Sequence, residues 1–434
     1  MSNSKVVKRI VFQIKFETCS PLSVSSGDDE WTDSDILRDG EGVPFVPGSS
    51  LKGAMRAYLS VKKNEQCFMG YSSDDNNGKM SSLYVSDIIF DSEMKTGIRD
   101  GVALNNSKTA IDGSKFDTEI IEHGASGTFY MELVIREEDD ENNIRNKVID
   151  IINGINNGEI RFGQKKTRGF GRFKVNTVKE CEFCRDNYLD YSKVYDNEND
   201  FWKNLPNKAD AMINEINCNN NKTHIKVPLK IKGGISIRQY MAIKGQPDFT
   251  HITDNGVPVI PGSSLAGAIR HRISDILKSL KINDKKIKNI DDIMSKAFGY
   301  VNNKKAHASN IIIGEAEIKG ATPLTMTRTG VSRFESAVKQ GALYKERTYV
   351  GGSVDLDIMV NNSDDDNWII GLLMLALKDL QNGYLAVGGE TAIGRGIFEE
   401  NGSICINGES GKEDEYISKL IENLQSHGEV VYES

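Results

Sequence analysis

Two short stretches carry residue types suited to holding a phosphate. VPFVPGSSLKGAMR at residues 43–56 and VPVIPGSSLAGAIR at 257–270 each set Pro-Gly-Ser-Ser ahead of a periodic apolar run. Serine at that point is a helix-starting signal. A helix start offers unpaired amides and the positive end of the dipole to an anion. The small side chains of Ser49 and Ser50, and of Ser263 and Ser264, let a phosphate approach closely. Lys52 and Arg56 add charge to the first turns. Arg270 repeats Arg56, but Ala266 stands where Lys52 does, so the second stretch is expected to hold phosphate less tightly. One copy alone reads better as an ordinary capped helix; the same arginine in both favours anion binding.

A second pair of segments is rich in glycine. FGQKKTRGFGRF at 162–173 places Gly169 and Gly171 among Lys165, Lys166, Arg168 and Arg172, and VGGETAIGRGIF at 387–398 places Gly394 and Gly396 around Arg395. Alternate glycines admit a backbone or a ligand at close range. The spacing of a Walker-type phosphate loop is absent, and the glycines do not open a helix after a strand as a dinucleotide site requires. RGFGRFKV approaches an RNA-recognition-motif signature, but its counterpart IGRGIFEE does not. Cys181 and Cys184 have zinc-ligand spacing, with Cys218 and His224 downstream. Only one such pair exists, so structural zinc is the weaker reading.

These motifs fall in a repeated order. The first pair is separated by 214 residues and the second by 225, with Phe68 and Gly70 between the motifs of one copy and Phe298 and Gly299 between those of the other. This is a duplicated unit of about 200 residues. Each copy opens with a half-buried strand. Ile10, Phe12, Ile14 and Phe16 alternate with polar residues, as do Ile225, Val227, Leu229 and Ile231. Pro228 suggests an edge position or a bulge. Leu51, Met55 and Leu59 share one helical face, as do Leu265, Ile269 and Ile273. Further strands are expected near 127–135 and 353–360, helices near 142–157 and 364–381, and a tail helix near 413–425. The order fits a ferredoxin-like α+β unit. Expected boundaries are 1–180 for the first domain, 181–223 for a linker and 224–434 for the second domain.

The chain has 434 residues, a net charge of −8 and 27% charged residues, which excludes a disordered chain and a uniformly basic coat. A local basic groove on an acidic body is still compatible. Six cysteines make no disulfide framework, so a reducing compartment is expected. No signal-type segment opens the chain, and the apolar run Trp368–Leu377 is too short to span a bilayer. A soluble cytoplasmic protein without a membrane partner is expected.

VPGSSLKGAMR, a downstream Phe-Gly and a closing GQKKTRGFGRF together resemble the RAMP (repeat-associated mysterious protein) superfamily. Within it, TDSDILRDGEGVPFVPGSSLKG is most similar to the backbone subunits of type III CRISPR effectors. The resemblance implies two tandem ferredoxin-like, RRM-like domains with inserted β-hairpin thumbs. It implies a guide RNA, a complementary single-stranded target RNA and other effector subunits as partners. An aspartate in the loop before Pro-Gly-Ser-Ser cuts the target in that family. TDSDILRD puts Asp33 there with Asp39 six residues on, and PDFTHITD puts Asp248 there with Asp254. Departures at Asp35 and Thr250 make the second loop the more diverged. A carboxylate of this kind works with a divalent ion, magnesium or manganese, whose other ligands come from the RNA and water.

The implied thumbs fall at 99–124 and 325–350. The second interleaves Arg328, Arg333, Lys339, Lys345 and Arg347 with Phe334 and Tyr344, as RNA backbone contact and base stacking require. The first has Arg99, Lys108, Lys115 and Phe116. Two alternatives stand beside cleavage: a structural guide-RNA subunit without nuclease activity, and a metal-independent repeat-processing endonuclease leaning on histidine, for which His251 in the second Asp loop is the candidate.

Overall fold

The computed structural model describes residues 5–25, 27, 32–61, 68–72, 78–91, 93–105, 109–195, 200–214, 222–240, 247–282, 285–302, 305–361, 367–427 and 430–431. The chain divides into two units. The first holds residues 1–101, 115–166 and 170–221; the second holds 102–114, 167–169 and 222–434.

In the first unit the opening strand Val6–Thr18 lies between strands Ser126–Arg136 and Phe173–Phe183, antiparallel to both. Short strands Leu83–Val85 and Ile88–Phe90 pair along the far side of Ser126–Arg136. Taking the two short pieces as one strand, the spatial order is fourth, first, third, second, the ferredoxin-like order. Helices Gly48–Val61 and Glu141–Asn156 supply the other layer. Ile10, Phe12, Ile14 and Phe16 point into the core with Leu51, Met55, Leu59, Val148 and Ile152, as their periodicity predicts. Phe16 stacks on Phe173 with ring centroids 4.3 Å apart, tying the first strand to the last.

The second unit repeats this plan. Strand Lys222–Lys232 lies between Ser353–Asn361 and Ile397–Glu400, and strands Ile311–Ile313 and Ala316–Lys319 pair on the outer side of Ser353–Asn361. Helices Gly262–Ser279 and Asn367–Gln381 cover the inner face, and Glu413–His427 packs on the latter. Leu265, Ile269 and Ile273 are buried beneath Ile225, Val227, Leu229 and Ile231. Of the two expectations for Pro228, the edge strand does not hold and an irregularity of the ladder takes its place. It sits where the neighbouring strand is interrupted: Ile397–Glu400 pairs with residues 229–232, Cys405–Ile406 pairs with 225–226, and Pro228 falls in the gap. The missing N–H therefore costs no ladder bond.

A hairpin is inserted in each unit at the same point of the order. Thr96–Leu104 pairs with Ala110–Ile121, and Thr322–Arg328 pairs with Tyr344–Val350. Residues 181–195 and 200–205 do more than link. Phe183, Val194 and Trp202 form a second small core with Val11 on the outer face of the first sheet, with Tyr130, Tyr191 and Leu205 against it. Tyr191 and Tyr195 both donate to Glu132, at 2.8 and 2.9 Å, and Trp202 donates to the Val194 carbonyl at 2.8 Å. Burial beside the Glu132 carboxylate pushes the Tyr191 phenol up to about 12. No helix among the described residues is long and apolar enough to cross a membrane.

Candidate RNA interface and cleavage loops

The Asp33 loop is strapped to the return strand of its hairpin. Asp33 N–H donates to Asp117 Oδ1 at 2.9 Å, and Asp117 N–H donates to Asp33 Oδ2 at 2.8 Å. Two residues on, Glu119 N–H donates to the Ser34 carbonyl at 3.0 Å, and Glu119 Oε2 accepts from Ile36 N–H at 3.0 Å. Arg38 donates to both oxygens of Glu119, at 2.9 and 2.5 Å, and holds that carboxyl below the usual carboxylate range. Asp117 and Glu119 are two apart on one strand, so both face the loop.

The other acids of the loop have local duties. Asp35 is buried and its Oδ1 accepts from the amide and hydroxyl of Thr32, at 2.9 and 2.7 Å. Asp39 Oδ1 accepts from the amides of Glu41 and Val43, closing the turn that leads to the helix. Asp33 and Asp39 are both exposed, and of the two Asp33 is the one strapped to the hairpin strand.

The second unit reproduces the key bond with different side chains. Asp248, also exposed, accepts from Lys345 N–H at 2.7 Å through Oδ2. Strand Phe249–His251 continues the contact by pairing parallel with Tyr344–Val350, Phe249 opposite Glu346 and Thr250 opposite Arg347. Lys345 and Arg347 thus occupy the places of Asp117 and Glu119. The aromatic before each donor also recurs. Phe116 carries Lys165 Nζ at 4.6 Å from its ring centre, and Tyr344 meets Phe249 edge-on at 5.8 Å.

The glycine segments begin beside these loops. Ser34 Oγ reaches Gln164 Oε1 at 3.5 Å, and Lys165 Nζ donates to Thr118 Oγ1 at 2.6 Å. Their glycines serve the backbone more than a ligand. A Cβ on Gly171 would stand 1.8 Å from the Phe162 carbonyl oxygen, and one on Gly396 would stand 1.9 Å from that of Val387. Both have left-handed φ, +73° and +70°. Gly169 is crowded by the Gly314–Glu315 backbone, while Gly394 is exposed and faces open space. Lys166 and Arg168 are exposed.

Arg395 departs from expectation. It is 7% exposed, and it lies 2.8 Å from Glu346 and 2.7 Å from Glu390. Glu346 also takes Arg328 at 2.7 Å, and Glu390 takes Arg238 at 2.6 Å. These are internal ion pairs beneath the hairpin, so Arg395 leaves the set of direct RNA contacts and Arg328 is partly spent. Arg333 remains exposed at the hairpin end beside the fully exposed Phe334.

The helix starts are likewise less open than expected. The first helix begins at Gly48, whose amide donates to Asp87 Oδ1 at 2.7 Å, so neither Ser49 nor Ser50 is the cap. A Cβ on Gly48 would strike the Val85 carbonyl oxygen at 2.3 Å, and one on Gly262 would strike those of Ile313 and Arg168, each at 2.3 Å. These glycines exist to admit neighbouring backbone. A carboxylate already occupies the first amide of the first helix, which corrects the free anion cradle. What stays accessible is the exposed Ser49, Ser50 and Ser263 and the half-buried Ser264. Arg56 donates to the Met69 carbonyl at 3.1 Å and also to that of Gly70. Arg270 lies over the Phe298 ring at 5.9 Å. Each repeated arginine therefore secures the Phe-Gly landmark of its own copy. Lys52 is half-buried and donates to Ser81 Oγ at 2.8 Å.

His251 is buried. Its Nδ1 accepts from Ile237 N–H at 3.0 Å and its Nε2 lies 2.9 Å from the Val259 carbonyl, so the ring is neutral with the proton on Nε2. Cys181 and Cys184 are free thiols in the first unit, His224 belongs to the second, and Cys218 lies outside the described residues. Among the described residues no three His, Cys, Asp or Glu side chains group as a metal cage.

Two lobes of one plan, each with an exposed aspartate strapped to an inserted hairpin, agree with the chain's match to the RAMP superfamily over residues 15–174 and 227–399. The chain belongs to the RAMP superfamily. No curated protein matched it. Each matched region begins within the first strand of a ferredoxin-like sheet and ends within its last, and RAMP membership gives the chain a CRISPR-associated, RNA-binding role. Sequence reasoning missed Asp117, Glu119 and the Glu346–Arg395 cluster. Asp117 stands 84 residues from Asp33 and Lys345 stands 97 from Asp248, so no common spacing marked the pair.

Proposed function

We propose that this RAMP protein is a guide-RNA-binding backbone subunit of a type III CRISPR effector, and that it cleaves guide-paired target RNA at Asp33 and Asp248. The observation that carries this reading is the recurrence of one bond. In both lobes an exposed aspartate, otherwise free to swing, is oriented by an amide on the return strand of the inserted hairpin. Solvated loop carboxylates have no reason to be fixed at the same place twice.

The hairpins act as thumbs in this reading. Arg333, Lys339 and Phe334 offer charge and a stacking surface at the end of the second, and Lys165 over Phe116 does so at the base of the first. Ser49, Ser50, Ser263, Ser264, Lys52, Lys166 and Arg168 add polar and basic contacts along the backbone path. The donor set fits a divalent ion carried mainly by RNA. Asp33 spends Oδ2 on the Asp117 amide and retains Oδ1, one oxygen ligand of the kind magnesium or manganese takes beside phosphate and water. Held there, such an ion would polarise the phosphate or activate the 2′-hydroxyl.

The histidine-based processing reading loses its candidate, because His251 is buried and both ring nitrogens are engaged. Cleavage mapping on a guide-matched RNA tests the proposal. The assembled complex should give two cuts at fixed spacing; Asp33→Ala should erase one and Asp248→Ala the other, with RNA affinity unchanged. Both cuts persisting in the double variant would reduce the protein to a structural RNA-binding subunit.

A further inference from the structure

Resting on that cleavage reading, we propose that Asp117 is a positioning residue for the first-lobe cut and that its side chain has no counterpart in the second lobe. Asp33 is held at two points by one residue. Its amide is received by the Asp117 carboxylate at 2.9 Å, and its carboxylate is received by the Asp117 amide at 2.8 Å. The first bond fixes the backbone of residue 33, and the second fixes the side-chain torsions. Together they leave the carboxylate one orientation.

Asp117 is itself pinned from both sides along its strand. Phe116 lies under Lys165, and Thr118 accepts from the same ammonium at 2.6 Å. Glu119, two residues on, repeats the device by accepting the Ile36 amide, so loop residues 33 to 36 are laced to two successive acids of one strand edge. The base of the hairpin's return strand and the cleavage loop are therefore laced together through residues 33–36 and 117–119.

In the second lobe only half of the clamp survives. Lys345 donates its amide to Asp248 at 2.7 Å, but an ammonium has no acceptor to offer the Asp248 amide. There the loop is held by parallel main-chain pairing of Phe249 and Thr250 instead. The side chain at position 117 thus governs one cut and not the other, and the second cut serves as an internal control.

The test is single-turnover cleavage of a guide-matched RNA by the assembled complex, scored at both positions for wild type, Asp117→Ala, Asp117→Asn and Asp33→Ala. Misplacing a reacting group by about 1 Å costs on the order of 100-fold. Asp117→Ala should therefore slow the first-lobe cut by roughly 10- to 100-fold, leave RNA affinity alone and leave the second cut at its wild-type rate. Asp117→Asn keeps a carbonyl acceptor for the Asp33 amide and should recover most of the rate. A wild-type first cut in Asp117→Ala, with Asp33→Ala inactive there, overturns the positioning role while sparing the cleavage reading. Equal loss in the Ala and Asn variants, or loss of both cuts together, also overturns it, since charge or general folding would then be the cause. A first cut that survives Asp33→Ala removes the cleavage reading itself.

Discussion

Lys165 and Glu390 occupy the same place in the two glycine segments, share a left-handed backbone with φ of 52° and 59°, and carry opposite charge. The backbone shape is common to both lobes, while the electrostatics beneath the two hairpins are inverted. Lys165 rests on Phe116 and Thr118. Glu390 instead joins Glu346 in receiving Arg238, Arg328 and Arg395.

That cluster is a stability element of the second lobe. Glu346 is 1% exposed and faces three guanidiniums, at 2.7, 2.8 and 3.7 Å. Removing one partner of a buried ion pair strands the others and costs about 3–5 kcal/mol. Glu346→Gln should lower the stability of the second lobe by that order in chemical denaturation. An unchanged midpoint would mean the cluster is hydrated and weak.

His251 gives the protein an acid-side weakness. Burial lowers its pKa from the ordinary 6.5 to about 4. The unfolded chain takes up a proton below pH 6.5 that the folded chain refuses until about pH 4. Stability from this group is therefore complete above pH 6.5, falls as pH drops toward 4, and levels off below; the full span is about 3 kcal/mol. Denaturation curves between pH 7 and 4 should show this slope in the wild type and a flatter one in His251→Gln. Parallel slopes would contradict the buried neutral ring.

The glycines of the repeated segments should separate into two classes. Gly171→Ala and Gly396→Ala drive a Cβ into a backbone carbonyl at a left-handed position and should cost about 2–5 kcal/mol. Gly394→Ala faces open space at φ +85° and should cost only about 1–2 kcal/mol of backbone strain. Equal melting shifts for Gly394→Ala and Gly396→Ala would defeat this distinction.

Arg56 should behave as a local brace. Its guanidinium spans the Met69 and Gly70 carbonyls, so Arg56→Ala should cost about 1–2 kcal/mol. Arg56→Lys should rescue little, because a point ammonium cannot reproduce the planar fork. If Arg56→Ala weakened RNA affinity with no loss of stability, the arginine would be a direct RNA contact instead.

The scaffold was legible because burial leaves periodic traces. Alternating Ile10, Phe12, Ile14 and Phe16 marked a strand, and Leu265, Ile269 and Ile273 marked a helix face; both sets are buried as their spacing implied. The duplication was legible because glycines at Gly48 and Gly262, or Gly171 and Gly396, are fixed by the same steric demand in each copy. Their reason was not, since a glycine admits a carbonyl or a phosphate equally well. Asp117 was hidden because it lies 84 residues from Asp33, and no local pattern records a bond between a loop and a distant hairpin. Arg395 looked like a phosphate ligand because one acid partner, Glu346, stands 49 residues away, and the other, Glu390, sits in its own segment at a spacing that marks no strand or helix pairing.

The aromatic tether has a practical meaning for anyone dividing this protein. A fragment ending at Phe183 would keep the first sheet but lose Val194 and Trp202, baring Val11, Tyr130 and Phe183 to water as a sticky patch. A fragment carried through Asn214 brings its own cover. The cover of the first sheet's outer face is therefore carried by residues beyond its last strand, Val194 and Trp202 among them.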